Sequence, residues 1–189
     1  MKRIVLPLIS LFMLGCGDDP LPKPKAYLRL EYPEARYEKA SIPLPFSFEK
    51  NRLTEPIGAL KYSTNANGID VKYPSLKATI HLIYKRVENY NLDNLFRDAQ
   101  NLTQKHTIKA DEISSNQFEN SEERVYGMIY EIGGDAASQS QFYVTDSINH
   151  FVSGSLYFYT KPNYDSIYPA AEYLKKDIKR IMETVRWKD

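Results

Sequence analysis

The sequence predicts an α+β fold in which two helices flank a largely antiparallel sheet. Most segments between residues 42 and 159 alternate apolar and polar side chains, which is typical of half-buried strands. Two segments, 91–105 and about 165–185, instead repeat their apolar residues at helical spacing. The order is strands, a helix, about four strands and a second helix, and helices segregated in this way favour an α+β sandwich.

The first strand candidates precede the first helix. Strands are predicted at 42–48, 57–63, 69–73 and 78–87. Pro43 and Pro45 make the first of these an extended edge rather than a central strand, because proline cannot donate to a neighbouring strand. The pair Asn67-Gly68 tolerates positive φ and therefore predicts the turn of a hairpin between the second and third strands.

The first helix is predicted at 91–105, with Asn91 as its N-cap. Its apolar stripe predicts a face packed on the core and consists of Leu92, Leu95, Phe96, Ala99 and Leu102. Further strands are predicted at 112–119, 125–132, 141–145 and 151–159. The polar composition of 112–119 predicts an edge strand, and the short turns between the last three predict an antiparallel meander.

The last helix is predicted to be capped by Asp165 or Ser166, with Pro169 in its first turn. Its apolar face comprises Ala171, Leu174, Ile178, Ile181, Met182 and Val185. Trp187 is predicted to seal the end of this helix against the sheet.

The N-terminus predicts a lipid-anchored protein of the cell envelope. Lys2 and Arg3 precede an apolar run over 4–14, which has the length of a signal peptide core and is too short to span a bilayer. Gly15-Cys16 ends this run as a lipoprotein cleavage box would. We therefore predict a signal peptide at 1–15 and acylation, including palmitate, at Cys16. A proline-rich linker over 16–26 and one α+β domain over 27–189 are predicted to follow.

The residues after Cys16 indicate which membrane holds the protein and bear on which face of that membrane it occupies. Gly17 stands where an inner-membrane retention signal would place Asp, which favours the outer membrane. Asp18 and Asp19 resemble surface-export signals of some gliding bacteria, yet they also suit a solvated linker. The sequence leaves the periplasmic face and the cell surface open.

The composition predicts no catalytic chemistry. The formal net charge of +1 gives no indication of nucleic-acid binding. The only cysteine cannot form an intramolecular disulfide. His81, His106 and His150 lack metal-ligand spacing, so no metal or other cofactor is predicted. Glu31, Glu131 and Asp135 are candidate carboxylates, but no pair is predicted to converge. The protein is therefore predicted not to be an enzyme.

A partner site is predicted where the linker meets the domain. Lys23 and Pro24 lie in the proline-rich linker, and Tyr27 and Arg29 belong to an alternating segment over 26–33 that could add to the sheet edge of a partner. The same pattern also suits an edge strand or arm packed on the domain itself. Both interpretations stay open.

The whole chain resembles the gliding motility lipoprotein GldD family. The likeness rests on the cleavage box at Cys16, on the residues Pro-Lys-Pro-Lys-Ala-Tyr-Leu-Arg-Leu at 22–30 followed by Tyr32-Pro33, and on the final helix with Trp187. Ala26 stands where family members more often have Gly. The resemblance implies an outer-membrane-associated lipoprotein needed for gliding and for type 9 protein secretion. The element order also resembles the Mog1/PsbP-type sandwich.

Two classes of function follow. The first is a non-catalytic interaction or assembly component, with the membrane and other gliding or secretion envelope proteins as partners. The alternative is an envelope domain that binds a ligand or binds and processes carbohydrate. In that domain some of the fifteen tyrosines would pack on sugar rings and carboxylates would make polar contacts.

Overall fold

Strands dominate the part of the chain that the computed structural model describes, which is residues 31–63, 66–88, 91–105, 108–160 and 163–188. The strands are β1 (Tyr37–Lys39), β2 (Phe46–Ser47), β3 (Glu49–Asn51), β4 (Ala59–Ser63), β5 (Ala66–Tyr73), β6 (Ala78–Arg86), β7 (Ala110–Asn120), β8 (Val125–Gly134), β9 (Ser138–Thr145), β10 (His150–Phe158) and β11 (Arg186–Trp187). The helices are α1 (Leu92–Gln104) and α2 (Tyr164–Thr184). The predicted α+β class is confirmed.

Seven strands form the central sheet in the order β4-β5-β6-β10-β9-β8-β7. Every neighbouring pair is antiparallel. The predicted meander is β8-β9-β10, and the polar strand β7 lies at one edge as predicted. After β6 the chain passes through α1 to the edge of the sheet at β7. It then returns through β8 and β9 to β10, which pairs with β6.

The two helices cover opposite faces of this sheet. The larger core lies on the α2 side, where Leu174 and Ile178 are fully buried together with Ile80 and Leu82 of β6. The smaller core lies under α1, where Leu95 packs with Tyr143 and Phe151. Because Phe142 and Val144 belong to the larger core while Tyr143 belongs to the smaller, β9 is buried on both faces.

Two small sheets close the α2 face. β1 pairs with β3, and β11 pairs with β2 so that Trp187 stands opposite Phe46. Trp187 packs against the larger core, as predicted. None of the helices in the described ranges is long and apolar enough to span a membrane.

The predicted hairpin turn at Asn67-Gly68 is wrong. Both residues lie inside β5, where Asn67 pairs with Lys61 and Gly68 with Leu60 of β4. This register keeps Ile69, which follows, fully buried in the larger core. The connection instead falls at 64–65, outside the described residues.

One predicted helix cap has the right position and the other is wrong. Asn91 is the N-cap residue of α1, as predicted, but its side chain makes no capping hydrogen bond; its Oδ1 accepts the Glu88 backbone N–H at 3.0 Å, and its Nδ2 donates to the Arg86 carbonyl at 3.3 Å. These bonds compete with capping because they stabilise the loop before the helix. α2 begins at Tyr164, before Asp165 and Ser166, and Asp135 Oδ1 accepts the Tyr164 backbone N–H at 2.9 Å.

Candidate functional site

The residues predicted for lipid attachment and partner binding lie outside the described part of the chain. They are Cys16, Lys23, Pro24, Tyr27 and Arg29. The structure therefore does not test their roles, which stay predictions. What it does show is where the chain that follows them joins the folded part.

The described chain begins on the outer side of α2. The Tyr32 ring stacks on the Tyr173 ring with 5.0 Å between centroids. The Tyr173 hydroxyl donates to the Pro33 carbonyl at 2.9 Å and accepts from Asn51 Nδ2 at 3.2 Å. A ring stack and a hydrogen bond thus fix residues 32 and 33 to the helix.

Directly beneath this junction lies a buried polar cluster formed by Tyr37, Asn51, Tyr173 and Asp177. Asp177 is 1% exposed. Its carboxylate accepts from the Tyr37 hydroxyl at 2.7 Å and from Asn51 Nδ2 at 3.0 and 3.3 Å. Both donors are neutral, and they come from β1 and β3. The cluster therefore ties the N-terminal strands to α2.

Burial governs the electrostatics of this buried polar cluster. Burial raises the pKa of the Asp177 carboxyl, and the hydrogen bonds from Tyr37 and Asn51 offset only part of that rise. Burial and the hydrogen bond to Asp177 also raise the pKa of the Tyr37 hydroxyl. The arrangement is a set of fixed donors around one buried carboxylate.

A second polar region, the α2–β8 pocket, lies on the other side of α2. Its cavity has a volume of about 200 Å³. It is lined mainly by residues of α2 and of the strands β7 to β9, including Glu112, Glu131, Gln139, Tyr164, Tyr168, Glu172 and Lys175. Of the three carboxylates named as candidates, only Glu131 lies here. Asp135 caps α2, and Glu31 is exposed at the start of the described chain.

Lys175 bridges two carboxylates of the α2–β8 pocket. Its Nζ lies 2.9 Å from Glu131 Oε2 and 2.6 Å from Glu172 Oε1. Burial lowers the pKa of Lys175, but the hydrogen bonds to Glu172 and Glu131 outweigh it and the pKa is raised. Lys175 therefore stays charged at neutral pH and holds both carboxylates in place.

Gln139 contributes an amide to the same pocket. It is 5% exposed, and its Nε2 donates to the Ala136 carbonyl at 2.8 Å. Its Oε1 has no hydrogen-bond partner among the described residues. A buried acceptor without a donor costs about 1–3 kcal/mol, which makes this atom a marker for a missing partner.

The described histidines do not form a metal site. His81 Nδ1 lies 2.6 Å from Asp70 Oδ1, whereas His150 contacts the Tyr84 hydroxyl at 3.0 Å and stacks on Trp187. Across the described ranges, no three His, Cys, Asp or Glu side chains are grouped as metal ligands would be.

Neither Asp177 nor Gln139 was predicted as a site residue from the sequence, and the reasons differ. Asp177 lies between Leu174 and Ile178 on the apolar face of α2. A charged residue on an apolar helix face indicates a buried polar contact, so the sequence did contain a signal for this residue. Gln139 lies in a polar stretch of β9 that sequence alone does not distinguish from a loop. Its burial depends on strands paired from other parts of the chain.

The comparisons with known proteins give one match. The family model described as gliding motility lipoprotein GldD matches residues 17–187. No curated protein and no solved structure matches the chain. The likeness to the Mog1/PsbP-type sandwich therefore stays a prediction.

Proposed function

This chain belongs to the gliding motility lipoprotein GldD family, and we propose that it is a non-catalytic interaction or assembly component of gliding motility and type 9 secretion. Family membership itself associates the chain with the cell envelope and with the gliding machinery. The finer proposal is an outer-membrane lipoprotein acylated at Cys16. Residues 1–15 would be removed, 16–26 would form the linker and 27–189 one folded domain.

The observation that carries this proposal is the extent of the family match. It covers both the segment with Lys23, Pro24, Tyr27 and Arg29 and nearly all of the folded part. A family defined over both parts supports a function that uses them together.

The junction at Tyr173 supports the partner site. Tyr27 precedes Tyr32 by five residues, which span at most about 18 Å of extended chain. A partner bound at Tyr27 and Arg29 would therefore also lie within reach of α2. The Lys175 and Arg180 cations of this helix are paired with Glu131 and Glu49. These ion pairs hold the charged groups on the surface of α2 in fixed positions.

In-cell crosslinking followed by mass spectrometry tests this proposal. We expect the full chain to crosslink to envelope proteins of the gliding and secretion machinery. The double variant Tyr27→Ala plus Arg29→Ala should lose those partners because it removes the ring and the cation of the segment.

The matched control is Tyr159→Ala plus Arg97→Ala, which removes one exposed tyrosine and one exposed arginine from elsewhere on the surface. It should keep the partner set. An unchanged set in the first double variant would remove the segment from the proposal. A wild-type set without gliding or secretion proteins would overturn the assembly role.

A further inference from the structure

We propose that the α2–β8 pocket binds one ring of a neutral, polyhydroxylated ligand, that is, a sugar unit. This inference does not rest on the proposed assembly role. Its basis is the size of the cavity, the chemistry of the lining side chains and the unpartnered oxygen of Gln139.

The size of the cavity limits the ligand. At about 200 Å³ it is smaller than the 300 Å³ at which sites for drug-sized molecules begin. It therefore suits about one six-membered ring, with the remainder of a larger ligand outside. The lining includes residues of α2 and of the edge strand β7, and beyond an edge strand a chain of linked rings could extend into solvent.

The charges of the lining favour a neutral ligand. Glu112, Glu131 and Glu172 would repel an anion. A cation gains little from Glu131 and Glu172, because Lys175 already pairs with both and Lys179 Nζ lies 3.9 Å from Glu131 Oε1. A neutral ligand neither meets this repulsion nor competes with the existing ion pairs.

The hydrogen-bonding capacity of the lining favours hydroxyl groups. The carboxylate oxygens accept, the Lys175 ammonium donates, and a hydroxyl group can do both. Gln139 Oε1 requires a donor, and no described residue provides one. The Gln139 side chain lines the cavity, but this oxygen is itself covered, so a ligand hydroxyl can donate to it only after the Gln139 side chain rotates. The bond would then satisfy a buried acceptor, which is worth more than a bond to a group already solvated by water.

Two tyrosines provide an apolar wall. Tyr164 and Tyr168 lie one turn apart on α2, with 5.3 Å between ring centroids in an edge-to-face arrangement. Both are half-buried and line the cavity. A sugar ring has a C–H face that packs on an aromatic ring while its hydroxyls point to the polar side of the pocket. The α2–β8 pocket has both an aromatic side and a polar side.

Saturation-transfer NMR on the full chain tests this inference. The protein is purified in lauryldimethylamine oxide, a detergent without a sugar headgroup. The probes are methyl β-D-glucoside, methyl α-D-mannoside and N-acetyl-D-glucosamine, with methylguanidinium as the cationic probe. We expect transfer to at least one sugar and none to methylguanidinium.

Variants locate the binding. Gln139→Leu removes the unpartnered acceptor at similar size, and Tyr168→Leu removes the ring. Each should weaken sugar binding about five- to tenfold, as expected for one hydrogen bond or one aromatic contact. Gln117→Leu and Tyr159→Leu make the same replacements at exposed positions outside the pocket and should change the affinity less than about twofold.

Circular dichroism shows whether each variant is folded. If Gln139→Leu does not fold, Tyr168→Leu alone tests the pocket. No transfer to any of the three sugars at millimolar concentration would overturn the inference. So would binding of methylguanidinium alone, or sugar binding that both pocket variants leave unchanged. None of these results bears on the crosslinking partners, so the two proposals fail independently.

Discussion

Replacing Asp177 with alanine is expected to lower the free energy of unfolding by about 3 kcal/mol, as judged by denaturant unfolding. The change leaves the Tyr37 hydroxyl without its acceptor and leaves buried Asn51 with only the Tyr173 hydroxyl, at 3.2 Å, as an acceptor for its Nδ2. It also breaks the link between the N-terminal strands and α2. Asp98→Ala is the control, because Asp98 is exposed on α1 and its ion pair with Lys85 is long, at 3.5 Å; we expect a loss below about 0.5 kcal/mol.

The Asp177→Asn variant checks the electrostatics of the same site. Burial raises the folded-state pKa of Asp177 above its unfolded value of about 3.9, so the folded chain holds this proton to a higher pH. The stability of the wild type relative to Asp177→Asn is therefore greatest below the unfolded pKa and falls as pH rises through the folded pKa. A relative stability that rises with pH would contradict the assigned direction, and equal losses for Asp177→Ala and Asp98→Ala would contradict the structural role.

Gly127→Ala is expected to cost about 3 kcal/mol, at the upper end of the usual range for overpacking. A β-carbon at Gly127 would clash with the Tyr143 carbonyl oxygen and would lie 3.0 Å from Val144 Cγ1. The oxygen belongs to the backbone of β9, so relief requires the neighbouring strands β8 and β9 to separate. Unfolding in denaturant measures the effect.

Gly58→Ala is the matched control, because a β-carbon there has no atom within 4 Å among the described residues. We expect it to change the free energy of unfolding by less than about 0.5 kcal/mol. If Gly127→Ala and Gly58→Ala had the same small effect, the result would contradict the close approach of β8 and β9 at Gly127.

Much of this fold was predictable because its strands and helices carry strong local patterns. The alternation in β6 and β10 reflects a sheet with different surroundings on its two faces, and the apolar stripe of α2 reflects one buried side. Their order alone was enough for the α+β class. The polar strand β7 was predictable as an edge because polar residues on both faces rarely suit a central strand.

The features that were missed depend on long-range contacts. The cap of α2 comes from Asp135, which precedes Tyr164 by 29 residues, so no local pattern predicts it. Asn67-Gly68 favours a turn locally, yet pairing with β4 and β6 places it inside a strand. The α2–β8 pocket likewise combines Gln139 and Lys175 from separate elements. Local preferences do not determine such juxtapositions, because tertiary packing overrides them.

The folded part and the proposed anchor at Cys16 fit together in one account of the protein. The family assigns a lipoprotein of gliding motility, and the contacts of Tyr32 and Pro33 fix the start of the described chain on α2. A partner held near the N-terminal segment would therefore meet a stable surface. Acylation would keep this surface beside the membrane, since two or more acyl chains make attachment lasting.

Intact-mass and peptide mass spectrometry of the protein purified from its native envelope tests this account most directly. The account predicts that the chain begins at Cys16 and that this residue carries a diacylglyceryl group on its sulfur. A chain that retains residues 1–15, or that has an unmodified thiol at Cys16, would contradict it.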